Sequence, residues 1–242
     1  MDFILILVYN ISLTFAMNIH FIELKQRLIY CIIFIVSLFS VLFYYSDIIY
    51  DLFSIPIKNQ LPKDSNIIAT QVTSTFLIPF KLAINLSLII SAPYIILNIW
   101  NFMSPGLYKH EKIFVFPFII FSILLFFSGL FFSFYIICPL ALNFFMTCAP
   151  SNVTIMISLT SYMDFMFAIM LASGFSFQIP IIIYIITKCE IISKNNLAKK
   201  RSYVFILSFI IGMVLTPPDV VSQVLLAIPI WLLFELGLFF SK

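Results

Sequence analysis

Charge is what this chain has least of. Only 10% of its 242 residues are Asp, Glu, Lys or Arg and 63% are hydrophobic, which leaves too little polar surface to cover a water-soluble globule, whose apolar share is about half. Glycine is scarce as well, with five residues, so a glycine-rich phosphate cradle is excluded, and no Walker-type loop, HExxH or GxSxG occurs. The two histidines, His20 and His110, lack companions at ligand spacing, and Cys31, Cys138, Cys148 and Cys189 form no CxxC. These absences point to no metal, no cofactor and no enzyme; a disulfide is conceivable only between Cys138 and Cys148, the one pair on a common side of a membrane. A net charge of +3 does not describe a nucleic-acid partner.

What the chain has is apolar length. Its mean hydropathy is +1.16, and uncharged runs at 28–46, 82–100, 113–137 and 165–187 each supply the roughly 20 helical residues that cross a bilayer. Two shorter runs follow, 203–215 and 220–240, separated by Thr216-Pro-Pro-Asp219. Thirteen helical residues rise only about 20 Å against a core of roughly 30 Å, so the fifth span must thin the bilayer or shelter behind neighbours. The expected fold is an all-α membrane protein of six transmembrane helices in a concave bundle, the last two short. Pro93, Pro117, Pro139 and Pro180 would bend the helices, and Asp219 would cap the last one.

The bases set the orientation. Lys25, Arg27, Lys109, Lys112, Lys188, Lys194, Lys199, Lys200, Arg201 and Lys242 fall on the side of the termini, and only Lys58, Lys63 and Lys81 remain of the thirteen for the other. The positive-inside rule puts both termini in the cytoplasm and turns 47–81 and 138–164 outward. Residues 1–16 fit this scheme badly: an acid near the start and a short apolar run make neither signal peptide nor span. They read as an interfacial extension, or Met17 is the true start, ahead of a single membrane domain over 17–242.

Against the cytoplasmic bases, two acids stand out. Glu23 shares a helical face with His20, Leu24 and Arg27 ahead of the first span, and Glu111 follows the proline-glycine turn in SPGLYKHEK. A carboxylate takes a guanidinium bidentately, so two such acids suit a peptide with adjacent arginines. The competing reading is local: Glu23 with Arg27 is an i,i+4 pair, and Glu111 neutralises Lys109 and Lys112. Asp164 reads as an N-terminal helix acid and Glu235 as a headgroup anchor.

The ordered blocks HFIELKQRL, IPIKNQLP, WNFMSPGLYKHEK, GFSFQIP and LTPPDVVSQ resemble the TatC family, the multispanning core subunit of the twin-arginine protein translocase, from about residue 18 to the C-terminus. The resemblance implies a receptor that binds twin-arginine signal peptides of folded cargo proteins through Glu23, Phe102 and Glu111, and exports the cargo on the proton gradient. It also implies that small single-span subunits of the TatA and TatB type pack at Met213, Thr216 and Gln223, that copies self-associate, and that the location is a bacterial inner membrane, with an organellar inner membrane as the alternative. One position departs: the family commonly has glutamate where this chain has Gln178. An ion there would cost on the order of 2.5–3.5 kcal/mol, whereas an amide keeps hydrogen-bonding reach as an intramembrane polar contact. The rival function is a secondary transporter of a small solute, with Gln178, Asn85 and Asn98 as its midplane site; the related halves common in such carriers are not visible.

Overall fold

The computed structural model describes the backbone of all residues except 1, 61–65, 69–72, 104–108, 149–155, 189, 217–219 and 242, and the side chains of residues 21–55, 73, 76–102, 117–148, 156–188, 190–216 and 220–241. The side chains of His20, His110 and Glu111, and Cys189 and Pro217–Asp219 altogether, therefore lie outside the described residues.

Long apolar runs with few breakers make long helices, since within a bilayer each backbone N–H and C=O must be satisfied inside its own segment. Helix α1 spans Asp2–Tyr44, continuing through the doubtful N-terminal residues without a break, and α2 spans Ser46–Gln60. Next come α3 (Ser74–Met103) and α4 (Lys109–Phe132), then a π-helical turn (Ser133–Ile137) leading straight into α5 (Cys138–Thr147). The remainder is α6 (Leu159–Ser176), α7 (Ile179–Lys188), α8 (Lys194–Lys199), α9 (Arg201–Leu215) and α10 (Val220–Phe240). Five stretches are long and apolar enough to cross a membrane, at Phe21–Tyr44, Phe76–Phe102, Pro117–Thr147, Leu159–Lys188 and Val220–Phe240; of the two last helices expected to be short only α9 is, because α10 continues unbroken through Pro229 for 21 residues.

The prolines act where they remove a backbone donor. Pro180 cannot donate to the carbonyl of Ser176 and its ring crowds that turn, so α6 stops at Ser176 and α7 restarts at Ile179, with the proline in its first turn, where no N–H is missed. The fourth span is thus two helices joined at Phe177 and Gln178. Pro139 is accommodated differently: the turn before it widens so that the Cys138 N–H reaches back to the Ser133 carbonyl, a five-residue step. Cys138 and Cys148 are both free, and one helix separates them by ten residues, about 15 Å of rise, which rules out the conceivable disulfide.

The all-α expectation holds with one addition, a pair of three-residue strands, β1 (Asn66–Ile68) and β2 (Met156–Ser158), paired in parallel with Ile67 opposite Ile157. Because one strand belongs to the 47–81 segment and the other to 138–164, both segments share one end of the bundle, as the charge distribution requires. Helix α2 closes that end: the Tyr162 hydroxyl donates to the Phe53 carbonyl at 3.1 Å, and the Phe53 ring meets Phe134 and Phe167 at 5.7 and 5.4 Å.

The main core lies between α3, α4 and α6, around Leu82, Phe126, Met163 and Met166. Lipid tails are as apolar as leucine, so close fit rather than water exclusion holds these helices together. Gly129 shows it: a β-carbon there would sit 2.8 Å from the Ser173 carbonyl oxygen. Helix α10 joins through Leu226 and Ile230 packed on Ile137 and Ile169, and through Phe234 and Leu238 on Ile183. Helix α1 packs chiefly along α3, and none of its span is buried.

Candidate functional site

Three groups of residues carried functional expectations, and the fold treats each differently. The first is the pair of acids with Phe102. Helix α1 runs antiparallel to α3, as the ring contacts Phe34–Tyr94 at 4.8 Å and Phe39–Phe80 at 5.3 Å show. From Phe34 back to Glu23 is eleven residues, about 16 Å of rise; from Tyr94 on to Phe102 is eight, about 12 Å. Glu23 and Phe102 therefore occupy the same end of the helix pair. Glu111 lies in the first turn of α4, and the connection from Met103 to Lys109 spans at most about 20 Å. All three belong to the end opposite the strand pair, the end rich in bases.

Glu23 has the local partner its spacing suggested. Arg27 donates to it through Nε at 3.1 Å and Nη2 at 2.7 Å, and both bonds fall on Oε1. Among the described residues Oε2 makes no bond. The pair is about 30% exposed, at 27% for Arg27 and 31% for Glu23, so water weakens it to about 0.3–0.5 kcal/mol. An incoming guanidinium would meet an acid held in position but only weakly committed.

The second group is Gln178, in the break between α6 and α7. Its amide nitrogen donates to the Ser122 carbonyl at 2.9 Å and its amide oxygen accepts from the Ser122 hydroxyl. Ser122, nearly fully buried in α4, was not picked out from the sequence; a lone serine among phenylalanines gave no signal until the fold placed it opposite an amide. The carrier site fails on geometry. Asn85 and Asn98 bond to carbonyls of their own helix, at Lys81 and Tyr94, and thirteen residues of one helix set them about 20 Å apart.

The third group, Met213, Thr216 and Gln223, was expected to carry single-span subunits. The fold turns most of it inward: Thr216 is 7% exposed and bonds the Gly212 carbonyl at 2.8 Å, while the Gln223 amide crosses from α10 to the Phe209 carbonyl of α9 at 3.0 Å. Gly212 permits this approach, since a β-carbon there would lie 2.9 Å from the Gln223 carbonyl oxygen. Met213, at 59% exposed, points outward. It borders a groove of about 270 Å³ with Phe205, Phe209, Ile210 and Gln223, so the face that α9 offers is apolar.

Two ion pairs add to what sequence reasoning found. Lys81 meets Asp164 at 2.7 Å; Asp164 sits five residues inside α6, so it is a tertiary partner and not the helix-end acid expected. Glu235 holds Arg201 at 2.9 Å, a link between α10 and α9 in place of a solitary anchor.

Residues 19–229 match the family model "Sec-independent protein translocase protein (TatC)". The chain is 45% identical over 223 residues to the Sec-independent protein translocase protein TatC of Escherichia coli (strain K12), covering 92% of this chain and 86% of that protein. It is 43% identical to the protein of that name from Haemophilus influenzae (strain ATCC 51907 / DSM 11121 / KW20 / Rd), covering 92% and 87%. A crystal structure of the twin-arginine translocase receptor TatC in DDM superposes with a TM-score of 0.85 at 34% identity, covering 92% of this chain and 99% of that one.

Proposed function

Since this chain belongs to the TatC family, whose members are Sec-independent protein translocase components, we propose that it is the receptor and core subunit of a twin-arginine translocase in a bacterial inner membrane. The observation that carries the reading is the placement of Glu23, whose second carboxylate oxygen makes no bond among the described residues, at the same membrane end as Phe102 and the first turn of α4. The excess of Lys and Arg at that end makes it cytoplasmic, which is where cargo with an arginine pair arrives.

The signal peptide's first guanidinium exchanges with Arg27 on Glu23, a weak surface pair giving way to a bidentate one. Glu111 takes the second. Phe102 contacts the apolar stretch that follows, which then lies along the bundle. Single-span subunits of the TatA and TatB type pack on the apolar α9 face around Met213, with Thr216 and Gln223 holding α9 and α10 in the shape that face requires. The proton gradient drives passage, and the chain acts without catalysis.

A photo-crosslinker at Phe102, offered cargo with an Arg-Arg or a Lys-Lys pair, tests the reading. Adducts with the first and few with the second are expected; equal yields would overturn it.

A further inference from the structure

At the basic end of the bundle, a second groove of about 470 Å³ opens between the start of α8, the start of α9 and the last turns of α10. Leu232, Glu235, Leu236 and Phe239 follow one another at helical spacing down one face of α10 and form its wall. Lys194 and Arg201 stand over it. The three apolar residues are exposed, at 48%, 49% and 78%. They belong to a membrane-spanning helix, so acyl chains are what they meet.

The charges lie at the other level of the same groove. The Lys194 amine donates to the Ser241 carbonyl, which fixes it beside the end of α10. Arg201 uses Nε on Glu235 and is itself 55% exposed, leaving guanidinium N–H groups turned away from that bond. Lys199 and Lys200 are exposed alongside. Among the described residues the acids nearby are Glu235, already engaged, and Glu190 in the turn before α8, so the balance is positive. An apolar trough within the hydrocarbon, topped by fixed cations at headgroup depth, is complementary to one kind of molecule.

We propose that this groove is a binding site for an anionic phospholipid of the cytoplasmic leaflet. Its phosphate bonds Lys194 and Arg201, and one acyl chain lies along Leu232, Leu236 and Phe239. Each base near such a headgroup strengthens binding about fivefold. The lipid would also brace the junction of α8, α9 and α10 at the end of α9 away from Met213.

The test uses the full-length protein stripped of lipid in an uncharged detergent. Phosphatidylglycerol or phosphatidylcholine is added back, with retention read by native mass spectrometry and thermal unfolding read in parallel. The wild type is expected to keep phosphatidylglycerol preferentially and gain stability from it. Lys194→Gln should cut that preference about fivefold, and K188Q, a cytoplasmic base outside the groove, should leave it in place. Because Arg201 also holds Glu235, the paired change R201Q/E235Q removes both charges together, so lost preference is not confused with an unpaired, partly buried acid. Equal retention of the two lipids, or an equal loss in K188Q, would overturn the site. Complete displacement by excess inorganic phosphate would also overturn it, since the groove would then be reading phosphate alone.

Discussion

Lys81 in α3 places its ammonium against both carboxylate oxygens of Asp164 in α6, at 2.8 and 2.7 Å across 83 positions of sequence. The two helices flank the main core near the strand-bearing end, so the pair sets how α3 and α6 meet there. Its side chains are 37% and 51% exposed, and water therefore limits its worth. A double-mutant cycle with Lys81→Met and Asp164→Asn is expected to give a coupling of about 0.5–1 kcal/mol in unfolding from detergent. The charge swap K81D/D164K should recover most of it. A coupling near zero would show the contact to be incidental.

Gln178 and Ser122 present a sharper case, because both lie within the membrane, where water is not available to replace a lost partner. Q178A leaves the Ser122 carbonyl without its cross-helix donor and is expected to cost about 1–2 kcal/mol. Ser122→Ala removes only the hydroxyl and should cost less. The double variant should be milder than the two single losses added, which equilibrium unfolding of all three would reveal.

Gly212 is predicted to tolerate no larger residue. Alanine brings its β-carbon to 2.9 Å from a backbone oxygen of α10, and valine adds two methyl groups to the same gap. G212V should cost about 1–3 kcal/mol and pull Gln223 from the Phe209 carbonyl. A cysteine at Met213, labelled with a thiol reagent in the G212V background, would report the altered α9 face. Unchanged labelling and unchanged stability together would contradict the packing described.

The two readings of Glu23 part in opposite directions when Arg27 is removed. If Glu23 receives a signal arginine, R27Q releases a competitor and binding of a twin-arginine peptide holds or tightens, while E23Q weakens it about ten- to a hundredfold. If Glu23 exists to neutralise Arg27, the two variants behave alike. Fluorescence anisotropy with a labelled peptide, and the Lys-Lys peptide as reference, separates them. On the first reading Glu111→Lys should abolish export of folded cargo in cells.

The membrane class, the six apolar runs and the clustering of bases at one end were legible in the residue order. So were the Glu23–Arg27 pair and the short fifth span, though not the 21-residue length of α10. Each rests on local physics: an apolar run of sufficient length must span as a helix, and residues four apart on a helix are neighbours whatever surrounds them. The expectation for Phe102 came from the family blocks alone.

Tertiary structure decided what chain order cannot hold. Gln223 was expected to serve an outside partner, and close packing at Gly212 turned its amide to the Phe209 carbonyl within the subunit. Asp164 looked like a helix end, and Lys81 made it a bridge. Gln178 acquired Ser122 from 56 positions away, and two short segments became paired strands. A residue order specifies which polar atoms need partners; only the packing of one helix against another brings a donor within 3 Å of an acceptor, so the identity of each partner is a property of the folded bundle.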